Sequence, residues 1–231
     1  MAENTIFVNK YRYELTKFPI DEKEIWRYAG YFGDIPSITD ELKNELSAVI
    51  RELENAFSFL VCYRRMEIEW ENDMPVLPFA SESKKLAACL KGSSEVVLFA
   101  ATIGLEIDRK IARYQRISPL KALLMQAFGA ERVECLCEVF CDEIKQEAAQ
   151  EGLSVTTRFS PGYGDLPLEK QRDFFRLLDC NRQVGISLNE SLLMSPSKSV
   201  TAIFGIGECV DRSRKHDCKN CSKTDCEYRK E

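Results

Sequence analysis

Apolar residues in the N-terminal quarter of the chain recur at steps of three and four. The stretch from Asp21 to Tyr31 carries Ile25, Trp26 and Tyr28 near helical spacing, which predicts a short helix. After a break at residues 33–36, SITDELKNELSAVIRELENAF (37–57) predicts a second helix. Ser37 is its expected N-cap, with Asp40 three residues later. Its apolar face consists of Leu42, Leu46, Val49 and Leu53, widened by Ile50 and Phe57.

Two later stretches have the patterns of β-strands. From Met66 onwards Met, Ile and Trp alternate with Glu67, Glu69 and Glu71, which predicts a half-buried strand. The run EVVLFAATIG, residues 95–104, is apolar and rich in β-branched residues. It predicts a buried strand that leads into a helix starting near Leu105.

The longest periodic segment covers residues 118–150. After Pro119 it contains no proline and only one glycine, Gly129, and its apolar residues recur at three- and four-residue steps. This predicts a long helix, with Gly129 as the place for a bend. The remaining core is predicted to contain a short strand TTRFS, a Pro-Gly turn, a helix near Glu169–Leu178, an extended VGISL and a last strand SVTAIFGIG.

Helices and strands mix along the chain without a regular β-α-β order. An α+β fold is therefore expected, as a single mixed domain with a central, mostly antiparallel sheet flanked by long helices. We found no internal repeat and no Gly/Ser-rich linker that would divide residues 1–207. Residues 208–231 are rich in Cys, Lys and Asp and are predicted to form a separate tail.

Composition and charge exclude several classes of protein. No apolar run among the 231 residues approaches the roughly 18 needed to cross a bilayer. The N-terminus shows no secretory signal, so a soluble cytoplasmic protein is expected. The net charge is -5 with acidic and basic residues interspersed, which argues against a general nucleic-acid surface.

Four cysteines in the tail have the spacing of metal ligands. Cys209, Cys218, Cys221 and Cys226 follow the pattern C-x8-C-x2-C-x4-C in polar sequence that offers no apolar face to bury them. Thiolates at this spacing suit an iron–sulfur cluster or a zinc ion, and a tail of free thiols is the alternative. His216 could replace one ligand, although an exposed bystander is the simpler interpretation.

The other cysteines and the single histidine point away from catalysis by a nucleophile. A Ser-His-Asp or Cys-His group would have to use His216, which lies in the charged tail. FGIG near the last strand is followed by no third glycine and no helix, so it is not a dinucleotide fingerprint. Core packing is the expected role of Cys62, Cys89, Cys135, Cys137, Cys141 and Cys180.

An arginine precedes a rigid turn in the stretch TTRFSPGYGDLPLEK, residues 156–170. Proline presets φ and glycine tolerates conformations that other residues avoid, so Arg158 and Tyr163 are expected on either side of a tight bend. A surface turn with a solvent-facing arginine is one interpretation, and a ligand-binding turn is the other.

From Arg158 to the last strand, about fifty residues resemble the activation domain of cobalamin-dependent methionine synthase. That family has an arginine, three residues, then Gly-Tyr and a nearby proline, followed by Gly-x-x-Leu-[Thr/Asn]-Glu and Pro-x-x-Ser-[Val]. The resemblance is fainter in VVLFAATIG and GAERVE. The matching residues are Arg158, Gly162, Tyr163, Pro167, Gly185, Leu188, Asn189, Glu190, Pro196, Ser199 and Val200.

The resemblance implies a site for S-adenosylmethionine. Arg158 would hold the ligand's carboxylate through two charge-assisted hydrogen bonds, and Tyr163 would supply an aromatic face or a hydroxyl beside it. Glu134 resembles the family's acidic contact to the ligand, with a solvated helix glutamate as the alternative. The expected binding residues are Arg158, Phe159, Pro161, Gly162, Tyr163 and Glu134.

The chain also departs from the fused synthase. It contains no D-x-H-x-x-G motif to ligate cobalt, so cobalamin is expected on a separate methionine synthase or another corrinoid protein. The resemblance thus implies a freestanding activation subunit, with flavodoxin or another protein as the electron donor. The alternative is a metal-binding adaptor or electron-transfer protein for a corrinoid partner that makes no use of S-adenosylmethionine.

Overall fold

The computed structural model of the protein describes residues 5–11, 17–31 and 38–208. In chain order its main elements are β1 (Phe7–Tyr11), α1 (Glu22–Tyr28), α2 (Asp40–Leu53), β2 (Phe59–Glu67), β3 (Glu69–Glu71), β4 (Met74–Val76), α3 (Lys84–Leu90), β5 (Glu95–Thr102), α4 (Glu106–Tyr114), α5 (Pro119–Gln150), β6 (Ser154–Val155), α6 (Gln171–Leu178), α7 (Cys180–Val184), β7 (Ser187–Leu188), β8 (Met194–Ser195) and β9 (Ser199–Gly207).

A five-stranded antiparallel sheet forms the centre of the molecule, in the order β1-β2-β5-β9-β6. β5 lies in the middle, with β2 on one side and β9 on the other. Its side chains are buried on both faces, which explains why its sequence is continuously apolar rather than alternating. The expected α+β fold with a mostly antiparallel sheet is confirmed.

Each face of the sheet carries its own hydrophobic core. Val97, Phe99 and Ala101 of β5 pack with apolar residues of α1, α2, α4 and α5 on one face. Val96 and Leu98 pack with residues of α3, α6 and α7 on the other. Because neighbouring residues of a strand point to opposite faces, the chain can present different chemistry to each core at adjacent positions.

The predicted helices are present, with shifted ends. α2 begins at Asp40 rather than near Ser37, and its N-cap is Thr39, which accepts a hydrogen bond from the backbone nitrogen of Leu42. Ser37 lies outside the described residues. α2 ends at Leu53 rather than at Phe57, while α6 agrees with its prediction. α5 runs uninterrupted through Gly129, where an added Cβ would lie 2.6 Å from Cδ1 of Ile107, so this glycine permits close packing of α4.

The strand predictions were less accurate. The alternation from Met66 belongs to two elements, because β2 ends at Glu67 and the chain then forms the β3–β4 hairpin, with positive φ at Asn72 and Asp73 in its turn. TTRFS is extended but is not a continuous strand. Only Phe159 forms a bridge, to Ile203 of β9, and the regular pairing lies earlier, in β6. β1 and α3 were not predicted at all.

Across the described ranges no helix is both long enough and apolar enough to span a membrane.

Candidate functional site

A cavity of about 810 Å³ lies between α5, the stretch that carries Arg158, and the N-terminal residues 19–28. Its size falls within the range of roughly 300 to 1,000 Å³ that is usual for small-molecule sites. It is lined by Pro19, Ile20, Asp21, Glu22, Lys23, Glu24, Tyr28, Glu131, Glu134, Cys135, Glu138 and Arg158.

The chain on both sides of Arg158 is fixed to β9. Thr156 exchanges two hydrogen bonds with Gly205, one through its backbone nitrogen and one through its hydroxyl oxygen. Phe159 exchanges two backbone hydrogen bonds with Ile203, each 2.8 Å long, and its ring packs in the core between the sheet and α6. Successive side chains of extended backbone point to opposite sides. Arg158 is therefore directed towards α5 and into the cavity.

Arg158 forms an ion pair with Glu134 of α5. Its Nη2 donates to Oε2 of Glu134 at 3.0 Å, and the two side chains are 28% and 41% exposed. Burial acts to lower the pKa of Arg158, but the negative charge that Cys137 carries once it ionises at high pH, together with the charge of Glu134, outweighs burial and raises that pKa. The guanidinium is therefore permanently charged and half-buried, and the interpretation of Arg158 as a solvent-facing arginine is wrong.

Acidic groups predominate around this ion pair. Among the described residues, six carboxylate side chains line the cavity against two basic ones. Asp21 and Glu22 are exposed at the start of α1, and Glu131 is buried on α5. The cavity thus offers two cations, the half-buried Arg158 and the exposed Lys23, within a surplus of negative charge. This combination suits a ligand that has a carboxylate but is positively charged overall.

Tyr28 supplies an aromatic wall of the cavity. Its ring lies beneath the guanidinium of Arg27, at 4.5 Å from ring centroid to Cζ. Burial and, to a smaller degree, the carboxylate of Glu134 raise the pKa of the Tyr28 hydroxyl, so that hydroxyl is a stable hydrogen-bond donor at neutral pH. Neither Tyr28 nor Asp21 was predicted as a site residue.

The turn after Arg158 is held in place from the other side. Gly162 and Gly164 have positive φ angles of 90° and 60°, a region that favours glycine. Asp165 accepts hydrogen bonds from the hydroxyl of Ser83 and from the backbone nitrogen of Lys84 at 3.0 Å, and so ties the turn to the start of α3.

The structure divides the predicted binding residues into two groups. Arg158 and Glu134 meet in the cavity. Phe159 packs into the opposite core, Pro161 is buried, and Gly162 and Tyr163 are exposed, with Tyr163 64% exposed. None of these four lines the cavity. A direct contact of Tyr163 with a ligand stays a prediction.

Three thiols lie on α5 near the cavity: Cys137 and Cys141 close to Arg158, and Cys135 in the cavity lining. Cys137 is buried, and its pKa is raised well above the usual value by burial. Burial also raises the pKa of Cys141 to about 12 and that of Cys135 to about 11. All three are therefore protonated at neutral pH and are poor nucleophiles. Cys135 is not simply a core residue, because it lines the cavity and donates to the carbonyl of Pro19 at 3.7 Å.

We expect Cys135 to be alkylated slowly at neutral pH. With a pKa of about 11, only about one thiol in a thousand is a thiolate at pH 8. The rate of reaction with iodoacetamide should rise about tenfold per pH unit between pH 8 and 10. Mass spectrometry of the peptide that contains Cys135, with free glutathione as the internal standard, measures it. A rate at pH 8 equal to that of glutathione contradicts the assignment.

The predicted metal ligands cannot be placed. Cys209, Cys218, Cys221, Cys226 and His216 lie outside the described residues. In the portion of the chain that is described, no group of three or more His, Cys, Asp or Glu residues is arranged to hold a metal ion.

One family model matches most of this chain, and one solved structure shares its fold. Residues 81–230 match the family model described as the vitamin B12 dependent methionine synthase activation domain. A crystal structure of the MetH reactivation domain bound to AdoHcy has the same fold, with a TM-score of 0.67 and 14% sequence identity. The match covers 87% of this chain and 78% of that chain. No curated protein matches the sequence.

Proposed function

Because this chain belongs to the family of vitamin B12 dependent methionine synthase activation domains, we propose that it binds S-adenosylmethionine and serves the reductive remethylation of cobalamin. In this proposal the cobalamin is carried by a separate methionine synthase or related corrinoid protein. The structural neighbour, which holds AdoHcy, supports a ligand of the same chemical class.

The ion pair between Arg158 and Glu134 is the observation that carries the proposal. The amino-acid end of S-adenosylmethionine bears a carboxylate and an ammonium group. Arg158 can hold the carboxylate in a two-pronged contact, while Glu134 accepts from the ammonium. When the ligand binds, Arg158 and Glu134 each exchange their contact with one another for a contact with the ligand. Neither protein charge is therefore left without a partner.

The surplus of carboxylates around the pair matches the rest of the ligand. S-Adenosylmethionine has a sulfonium centre and one net positive charge, whereas S-adenosylhomocysteine has a neutral thioether and no net charge. An acidic, partly enclosed cavity stabilises the first more than the second. Transfer of the methyl group therefore removes the charge for which the cavity is suited and promotes product release.

The chain's own contribution to the reaction is to bind and orient the methyl donor. On the partner, reduced cobalamin would supply the nucleophilic cobalt centre that accepts the methyl group and leaves S-adenosylhomocysteine. Arg158 and Glu134 fix one end of the ligand, which confines its sulfonium methyl group to one region of space. Holding two reactants in position lowers the entropic part of the barrier. The electron that reduces cobalamin comes from flavodoxin or another donor protein.

Titration calorimetry of the anaerobically purified protein tests the proposal. We expect one molecule of S-adenosylmethionine to bind per chain. S-Adenosylhomocysteine should bind about three- to tenfold more weakly, a difference of roughly 0.7–1.4 kcal/mol. The difference should shrink with added salt, because exposed charges are screened. No binding of either compound would falsify the proposed function.

Replacement of Glu134 should weaken binding without disturbing the fold. In Glu134→Gln the amide oxygen still accepts from Arg158, but the ligand's ammonium loses a charged partner. We expect S-adenosylmethionine affinity to fall about tenfold, which corresponds to about 1.4 kcal/mol. Glu147→Gln is the matched control, since Glu147 is exposed further along α5 and does not line the cavity. Equal affinities of the two variants would argue against Glu134 as a contact.

The cysteine pattern favours a second property of the same protein. We propose that Cys209, Cys218, Cys221 and Cys226 bind an iron–sulfur cluster or a zinc ion, because four soft ligands within eighteen polar residues have no other evident use. A cluster is preferred slightly, since a redox centre would supply an electron where the reaction needs one. If the protein fails to bind S-adenosylmethionine, a metal-binding adaptor or electron-transfer role remains.

A further inference from the structure

An ion pair buried on α5 binds backbone groups of residues 18–21, which we call the N-terminal wall of the cavity. Arg132 is fully buried, and its guanidinium donates to the carbonyl oxygens of Phe18 at 2.8 Å and Pro19 at 2.6 Å. The adjacent Glu131, 4% exposed, pairs with that guanidinium and accepts from the backbone nitrogen of Asp21 at 3.1 Å. Three backbone groups within four residues are thus bound by two neighbouring side chains.

The backbone segment that Arg132 and Glu131 hold leads into the residues that line the N-terminal side of the cavity. Pro19, Ile20 and Asp21 line it directly. Asp21 is also the N-cap of α1 and accepts from the backbone nitrogen of Glu24 at 3.2 Å. Fixing Asp21 therefore fixes where α1 starts, and with it the position of Tyr28, which lines the cavity further along.

The helix that carries Glu131 and Arg132 also carries Glu134, the partner of Arg158. Glu134 lies one turn beyond Glu131 on α5, so the residues that hold the N-terminal wall and the residue paired with Arg158 share one rigid element. α5 therefore sets the spacing between the wall and Glu134, while β9 fixes the position of Arg158. Residues 18–28 lie outside the family match, which starts at residue 81.

Stability alone does not account for a charged pair at this place. Burial of an ion pair has a desolvation cost, and well-packed apolar residues often replace such a pair without loss of stability. A guanidinium offers several donors in a fixed planar arrangement, which suits two successive carbonyls that must be held at a set spacing.

We propose that Arg132 and Glu131 are positioning residues. They hold residues 18–21 against α5 at the spacing that the ligand requires, and neither reacts. The role in binding rests on the proposed function, whereas the hold on the wall does not.

The test uses a double variant, Glu131→Gln/Arg132→Met, in the full chain. Removing both charges avoids leaving one buried without a partner, and the glutamine can still accept from Asp21. Arg132→Lys serves as a milder variant that keeps the charge, so the test does not depend on whether the double variant folds. Arg65→Met is the control, because Arg65 pairs with Glu95 and Glu151 and does not line the cavity.

Three measurements separate positioning from general stability. Hydrogen exchange without ligand should become at least tenfold faster in residues 17–31 and stay within twofold in β5 and β9. Alkylation of Cys135 should also accelerate at least tenfold, because its thiol lies beneath the carbonyl of Pro19. Affinity for S-adenosylmethionine should fall at least tenfold. Arg132→Lys should show smaller changes in the same three quantities, and Arg65→Met none of them.

Unchanged exchange in residues 17–31 would overturn the hold on the wall. Faster exchange together with S-adenosylmethionine affinity within twofold of the unmodified protein would overturn its role in binding. If hydrogen exchange became equally faster throughout the sheet in the double variant and in Arg132→Lys, the two residues would have a general structural role instead. If the unmodified protein binds no S-adenosylmethionine, the proposed function fails, and exchange and alkylation alone decide whether Arg132 and Glu131 position the wall.

Discussion

Arg158→Ala should lower the affinity for S-adenosylmethionine at least a hundredfold. The guanidinium is the only basic group beside Lys23 among the described residues of the cavity, and it is held towards α5 by the pairing of Thr156 and Phe159 with β9. Each hydrogen bond to a charged group contributes roughly 1.5–3 kcal/mol, so losing two costs about 3–6 kcal/mol. Titration calorimetry measures the change directly.

Two further variants make this result specific. Arg158→Lys should bind nearly as poorly, because an ammonium group cannot reproduce a planar two-pronged contact. Arg176→Ala should bind normally, since Arg176 is 70% exposed and pairs only with Asp173 on α6 within the described structure. The thermal stability of Arg158→Ala should change little, because a partly exposed ion pair contributes at most about 1 kcal/mol. Unaltered affinity in both Arg158 variants would remove the site assignment.

Serine at any one of the four tail cysteines should abolish most of the metal content. A site with one soft ligand missing loses much of its affinity. For a cluster, anaerobically purified protein should be brown and contain iron and labile sulfide; for zinc, it should be colourless with one zinc per chain. Elemental analysis and visible absorbance of the variants Cys209→Ser, Cys218→Ser, Cys221→Ser and Cys226→Ser measure this loss.

A cysteine outside the tail, the partly buried Cys89, provides the matching control. Cys89→Ser should leave the metal content unchanged, because Cys89 lies on α3 and donates to the carbonyl of Thr157 at 3.3 Å. The fold should survive in the tail variants, since β9 completes the sheet before the tail begins. Metal-free anaerobic protein whose four tail thiols react freely with an alkylating reagent contradicts both versions of the site.

Long elements with strong periodicity were predictable. α5 has many apolar positions at helical spacing, and β5 is apolar because both of its faces are covered. β3 and β4 were not, since an alternation of apolar residues and glutamate does not reveal where the chain turns back. β1 has exposed apolar residues such as Phe7 and is stabilised mainly by its pairing with β2, which only the tertiary structure supplies.

The residues that line the candidate site were predictable on one side of the cavity only. Arg158 and Glu134 were identified through the family resemblance, and the structure brings them within 3.0 Å. Asp21, Tyr28 and the pair formed by Glu131 and Arg132 were missed, because each fits an ordinary helix sequence. The available signal for Glu131 and Arg132 was the faint family resemblance of GAERVE, residues 129–134, which contains both of them.

The N-terminal wall and α5 are far apart in sequence, so they come into contact late during synthesis. Arg132 binds the carbonyl of Pro19 across a sequence separation of 113 residues. During synthesis on a ribosome, residues 18–28 emerge long before the helix that holds them, and N-terminal segments are made first at about 5–20 residues per second. For several seconds, the buried ring of Phe18 has no core to enter. Until α5 has been made, the apolar residues of this segment lack the helix against which they pack.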